Sequence, residues 1–182
     1  MCVSLLVSDE KNDTENSFID WLLRQEKLVI NQTDIYWLDE YRNAPALYLK
    51  VVNLLLYNHH LTHRHRLGLR VAALDSTAMS MDIRGDFTGK SIESLLHWQG
   101  RLYFELKQID LAVWHRWIPF PDEIDIQQGK GALRGWLTLA EGAIDNWLID
   151  TALHQIQANL SSNLPKLELD FLQGRIGSNQ FN

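Results

Sequence analysis

Apolar and polar residues alternate along most of the chain with a period of two, the pattern of half-buried β-strands. The cleanest run lies within residues 79–87, where apolar residues alternate with Ser80, Asp82, Arg84 and Asp86. The same pattern recurs in later segments, so one side of each strand is expected to face a common interior. The predicted inward-facing residues are Met79, Met81, Ile83, Phe87, Leu102, Phe104, Leu106, Leu133, Leu137, Leu139, Trp147, Ile149, Leu153, Leu167, Leu169 and Phe171.

The phase of the alternation changes twice before residue 60. Ile30 and Ile35 fall in opposite phases, which predicts a turn or bulge within residues 31–34. A second change separates Val51 from Leu54 and predicts another bulge. Each irregularity restores the apolar side chains to one face.

Three short helices are expected between strands, with Ser17, Ser91 and Asp110 as their N-caps. Long helical stretches between strands, which mark parallel βαβ proteins, are absent from the pattern. We therefore predict a mainly β protein with about nine strands in an antiparallel, meander-like arrangement. Residues 1–16 are expected to be a flexible lead-in, 17–177 a single β-rich unit and 178–182 a tail.

Composition supports one globular domain and argues against a nucleic-acid binder. The chain has 182 residues, of which 46% are hydrophobic, and a net charge of −6. Its two basic clusters, at 63–70 and 101–107, place charges on alternate strand positions. They are typical of a solvated face, and we expect no nucleic-acid partner.

The sequence shows no targeting or membrane-spanning segment. Leu5–Val7 is too short for a signal core, and no apolar run reaches the roughly 18 residues of a membrane span. The single cysteine, Cys2, can form no disulfide within the chain. Taken alone, this pattern predicts a cytoplasmic protein.

A histidine cluster is the strongest metal candidate. His59, His60, His63 and His65 could bind a divalent ion, and His63 and His65 would share a strand face. The neighbouring arginines disfavour a cation, so the preferred interpretation places these histidines at a hairpin tip and on the outer face. We expect no metal and no cofactor.

The other candidates for chemistry are weaker still. Residues 122–125 form an acidic loop beside prolines, and residues 129–131 favour a turn leading into a strand over a phosphate loop. Trp114 and Trp117 could stack on a sugar, but their helical spacing is more typical of a core. No nucleophile or zinc motif is present, so an enzyme is not expected.

The apolar face itself is expected to be shielded from water. At about 1.5–3 kcal/mol for each fully buried large side chain, exposing this face to water would cost tens of kcal/mol. A second layer of the same chain, a partner segment or a hydrophobic ligand could cover it. Periodicity does not choose among these, because a closed sandwich shows the same alternation.

Several segments resemble the YhdP family of AsmA-like bacterial envelope proteins. The resemblance rests on diffuse strand patterns between residues 18 and 177 and on no catalytic signature. The segments that carry it are Trp21–Gln25, Asp34–Trp37, Ala44–Leu49, Val52–Leu54, Gly100–Leu106, Asp110–Leu111 with Trp114, Gly129–Leu137, Leu164–Leu169 and Gly174–Arg175.

This resemblance implies an internal segment of a longer protein. Family members are similar in having an inner-membrane helix and a long periplasmic β-sheet that curls into a groove. That groove is thought to carry phospholipid between the inner and outer membranes. By resemblance, the inward-facing residues would contact acyl chains, and the partners would be phospholipid and the remaining segments of the envelope protein. The rival hypothesis is a self-contained β-sandwich that binds a protein or glycan.

Overall fold

A computed structural model describes residues 2–7, 21–39, 46–74, 79–90, 97–114, 125–159, 161 and 163–178. The strands among these residues form one nine-stranded sheet in which spatial order follows chain order. They are β1 (Cys2–Val7), β2 (Lys27–Asp39), β3 (Leu47–His59), β4 (Arg64–Leu74), β5 (Ser80–Thr88), β6 (Gln99–Asp110), β7 (Asp125–Ala140), β8 (Ala143–Asn159) and β9 (Leu167–Gly177). Residues 21–24 are helical (α1), Leu111–Trp114 form α2, and His60–Thr62 form a 3-10 turn.

The sheet is curved and does not close on itself, which confirms the predicted mainly β, meander-like fold. Strands β2 to β9 pair antiparallel with their sequence neighbours. Residues 2–7, expected in a lead-in, instead form β1 and pair parallel with β2. Of the three expected helices, the one expected to follow Ser17 corresponds to α1, and the one expected to follow Asp110 corresponds to α2. Ser17 itself and residues 91–96 lie outside the described residues.

Strand register sorts the side chains onto two faces, because directly paired residues point to the same side of a sheet. Met81 pairs with Leu106, and Leu106 pairs with Leu133, so these three mark what we call the apolar face. One residue along, Asp82 pairs with Glu105 on the opposite side, which we call the polar face. The alternation predicted for β5 to β7 is therefore the alternation observed.

Several strands contain a residue in the left-handed region of φ. These are Gln32 in β2 (φ 49°), Val51 in β3 (φ 52°), Gln108 in β6 (φ 55°) and Gln155 in β8 (φ 52°). At each, the alternation shifts by one residue, so side chains three positions apart share a face. The irregularities in β2 and β3 were predicted from the sequence, whereas those in β6 and β8 were not.

The hairpin between β7 and β8 has a two-residue turn. Ala140 pairs with Ala143, while Glu141 and Gly142 both have positive φ, as in a type I′ turn. The turn expected at residues 129–131 is wrong, since β7 already begins at Asp125.

Apolar side chains from many strands meet in one layer. One buried cluster contains Met79, Leu106, Ile109, Leu153 and Ile156, and a second contains Ile35, Val52 and Val71. Leu49 and Met81 pack against both clusters, so the layer is continuous across the sheet. Leu49 on β3 thus reaches the first cluster, whose members lie on strands beyond β4.

Candidate functional site

The apolar face is the candidate site, and it holds every predicted inward-facing residue except Phe171. Its central rows are set by register: Ile83 pairs with Phe104, and Leu102 pairs with Leu137. Leu137 in turn pairs with Trp147. Side chains that are far apart in the sequence thus form one surface, most of it only half-buried.

Phe171 lies on the polar face, contrary to prediction. It is opposite His154 and is 61% exposed. The prediction assumed unbroken alternation through Leu169 and Phe171, but β9 follows β8, whose phase shifts at Gln155. Leu172, opposite Leu153, occupies the apolar face instead.

Two glycines on the apolar face lie directly beneath aromatic rings. A Cβ at Gly135 would overlap Cε1 and Cζ of Phe104, and one at Gly85 would overlap Cε2 of Phe87. Each ring therefore lies over a backbone that has no side chain. The Phe104 and Phe87 rings thus fill the space that side chains at Gly135 and Gly85 would occupy.

The face extends beyond the residues predicted for it. Ile109 and Ile156 are among its most buried members, at 1% and 6% exposure. Both come directly after a left-handed residue, so simple alternation from Leu106 or Leu153 misses them. Strands β2 to β4 also contribute Leu28, Ile30, Ile35, Val52, Leu54, Leu56, Leu67, Leu69 and Val71.

Helix α2 covers one end of the apolar face. The Oδ1 atom of Asp110 accepts a hydrogen bond from the backbone N–H of Ala112 at 3.1 Å, which confirms the expected cap. Leu111 and Trp114 pack against the buried cluster, and Nε1 of Trp114 donates to Sδ of Met79 at 3.0 Å. Trp114 thus serves as core. Trp117, the other aromatic candidate, lies outside the described residues.

A buried polar network occupies the opposite end. The amide Nδ2 of Asn58 donates to the carbonyl oxygens of Leu22 (2.8 Å) and Gln25 (2.6 Å). Its Oδ1 lies 2.8 Å from Nδ1 of His65, whose Nε2 lies 3.0 Å from the Gly89 carbonyl oxygen. The His65 ring stacks on Trp98, with centroids 5.1 Å apart. These contacts tie α1 and its following turn to the β3–β4 hairpin.

This network corrects the interpretation of the histidines. His59, His60 and His63 are exposed, as expected of a hairpin tip, but His65 is only 7% exposed. His63 precedes β4 in a left-handed conformation, so His63 and His65 do not share a strand face. Within the described ranges, no group of three or more potential metal ligands is placed to share an ion.

The polar face carries carboxylates held between arginines. Hydrogen bonds from Arg175 and then Arg134 lower the pKa of Asp150 far below its usual range. A hydrogen bond from Arg84 likewise lowers the pKa of Asp82. Both carboxylates stay charged near neutral pH, and the basic clusters lie on this face as the sequence predicted.

Comparison with known proteins finds one family. A sequence model of the YhdP protein family matches residues 4–180. The chain belongs to the YhdP family. No curated protein and no solved structure matches it.

The YhdP match confirms the resemblance seen in the sequence and includes both ends of the apolar face. It begins within β1 and extends past the end of β9, so it covers α2 and the Asn58 network alike. None of the helices within the described residues is both long and apolar enough to cross a membrane.

Proposed function

We propose that the apolar face binds the acyl chains of phospholipid, and that this chain is a segment of a groove that conducts phospholipid between the inner and outer membranes. The observation that carries the proposal is the unbroken apolar layer from Ile35 on β2 to Leu169 on β9. Membership in the YhdP family supports it. The chain would act by binding and guiding lipid, and so support envelope integrity.

Hydrocarbon fits this face for energetic reasons. Each CH₂ group moved from water to an apolar surface contributes about 0.8 kcal/mol, without any directional requirement. The rows built on Ile83, Phe104 and Leu137 are only half-buried and offer no charged group to a ligand. Such a surface can hold a chain and still let it slide.

The sandwich alternative finds no support among the described strands. A sandwich requires two packed sheets, whereas these strands form a single sheet in consecutive order. Trp114, proposed there for sugar stacking, packs against Met79 and the buried cluster.

The location and partners follow from the proposed role. Phospholipid passing between two membranes requires a periplasmic site. We therefore propose that the sheet works in the periplasm, within a longer protein anchored in the inner membrane. The neighbouring segments of that protein would continue the apolar face.

Photo-crosslinking tests the proposal with a matched pair of neighbouring aromatic positions. Phe104 lies on the apolar face and Tyr103 on the polar face. Benzoylphenylalanine at residue 104 should crosslink phospholipid in cells, whereas the same residue at 103 should not. Mass spectrometry after organic extraction would identify the bound lipid. Equal crosslinking at both positions, or none at 104, would refute the proposal.

A further inference from the structure

A narrow apolar stripe crosses the polar face at right angles to the strands. In β2 to β4 its residues are Val29, Leu55 and Gly68, which pair in register. In β6 to β8 the same row continues as Tyr103, Trp136 and Leu148. Between these parts, the Arg84 guanidinium lies 5.7 Å from the centre of the Tyr103 ring. The stripe is one residue wide, and the rows on either side of Gly68 carry Arg66 and Arg70.

The first part of the stripe forms the floor of an open cleft of about 710 Å³. Val29 and Leu55 are exposed there, and a Cβ built on Gly68 would meet no atom within 4 Å. The backbone at Gly68 is thus left bare between its neighbours.

The walls of this cleft are mainly cationic. Lys27, Arg66, Arg70 and Arg84 line it, together with the carboxylates of Asp82 and Asp86. The ion pairs at Asp82 do not hide the positive charge of its two arginines.

Asp82 shows why. It is shared between Arg70 and Arg84 at 3.2 and 2.8 Å, yet its side chain is 18% exposed while theirs are 65% and 60% exposed. The carboxylate therefore lies beneath two guanidinium groups, and an approaching ligand meets positive charge first.

We propose that this cleft binds an extended acidic segment of a partner protein that also carries apolar side chains. Carboxylates on the segment would pair with Arg66, Arg70 and Lys27, and its apolar side chains would lie on Leu55 and Gly68. The shape favours a linear chain over a membrane, because the apolar stripe is recessed between two charged rows that a flat bilayer would meet first. The cleft lies on the opposite face from the lipid site, so the two proposals are independent.

Gly68 allows a test that fills the cleft without disturbing the sheet. Gly68→Leu projects into open space, and Gly174→Leu is its matched control, since Gly174 is equally open but pairs with Thr151 on the apolar face. The probe is a fluorescein-labelled decapeptide of alternating Glu and Val, with a Lys-Val decapeptide for comparison. Binding is measured by fluorescence anisotropy at two salt concentrations.

The Glu-Val peptide should bind, and its binding should weaken as the salt concentration rises. Gly68→Leu and Arg66→Glu should each lower its affinity at least about tenfold. Gly174→Leu should leave its affinity unchanged, and the Lys-Val peptide should not bind. Failure of the Glu-Val peptide to bind, or binding that survives Gly68→Leu, would overturn the proposal. Anionic phosphatidylglycerol vesicles provide a second arm. If the vesicles bind, the peptide does not, and Gly68→Leu abolishes vesicle binding, the cleft recognises a lipid surface and the proposal of a protein partner is wrong.

Discussion

Replacing Asn58 with Leu should destabilise the protein by about 2–6 kcal/mol, because it leaves two buried polar groups without a partner. The Asn58 side chain is fully buried and makes three hydrogen bonds, to Leu22, Gln25 and His65. Each buried group that is left without a partner costs about 1–3 kcal/mol. The Leu22 carbonyl keeps a second donor, the Gln25 N–H, so the Gln25 carbonyl and the His65 ring are the groups left unpaired.

Asn53 provides the matched control on the same strand. Its Oδ1 accepts from the Gln32 N–H at 3.2 Å and its Nδ2 donates to the Val51 carbonyl at 3.3 Å, both at an exposed site. Water can replace these partners, so Asn53→Leu should cost less than about 1 kcal/mol. Urea denaturation followed by far-UV circular dichroism measures both variants.

A second substitution makes the test specific to the network. Removing both partners of a buried hydrogen bond is less harmful than removing one, so His65→Phe should cost less in the Asn58→Leu background than in the wild type. The reasoning would be refuted if Asn58→Leu changed stability no more than Asn53→Leu. Additive effects of the Asn58 and His65 changes would also contradict it.

Three further predictions concern the two faces and the edge. Phe104→Asp should abolish phospholipid retention, measured by mass spectrometry of extracts, because it places a charge among apolar groups. Arg101→Asp changes the polar face and should not affect retention. Equal losses from the two changes would contradict the assignment of faces. The pKa of Asp82 and of Asp150 is lower in the folded chain than the unfolded value of about 3.9, so their stabilising contribution is complete above that pH and is lost as pH falls below it. Urea midpoints measured from pH 6 to pH 2.5 should show this loss, and Asp150→Asn should flatten it; an unchanged slope would refute the role of the ion pairs. Leu172→Lys, on the edge strand β9, should reduce the self-association of the dilute chain measured by light scattering, since apolar edge strands promote pairing between molecules. A monodisperse wild-type monomer without bound amphiphile would contradict this prediction.

The sequence alone determined the strands and most of the apolar face. Side chains alternate along any extended strand, so the directions of Met81, Ile83 and Phe104 follow from local geometry. The bulge within 31–34 was also predictable, because apolar residues on both sides of it had to reach one face.

Apolar residues three positions apart could not be assigned to one face from the sequence. Leu106 and Ile109, like Leu153 and Ile156, are three residues apart, a spacing that also suits a helix or the end of a strand. Only pairing with the neighbouring strands shows that each pair shares one face across a left-handed residue. The face of Phe171 was assigned wrongly for the same reason, since it depends on the phase of β8.

Tertiary structure alone decided which polar residues became buried and which apolar residues became neighbours. His65 looks like its exposed neighbours in the sequence, yet the fold places it between Asn58 and Gly89. Val29 and Leu55 join one stripe because of strand register. The alternation assigns each residue to a face, whereas register, set by turn geometry and by the matching of apolar faces, decides which residues of neighbouring strands lie side by side.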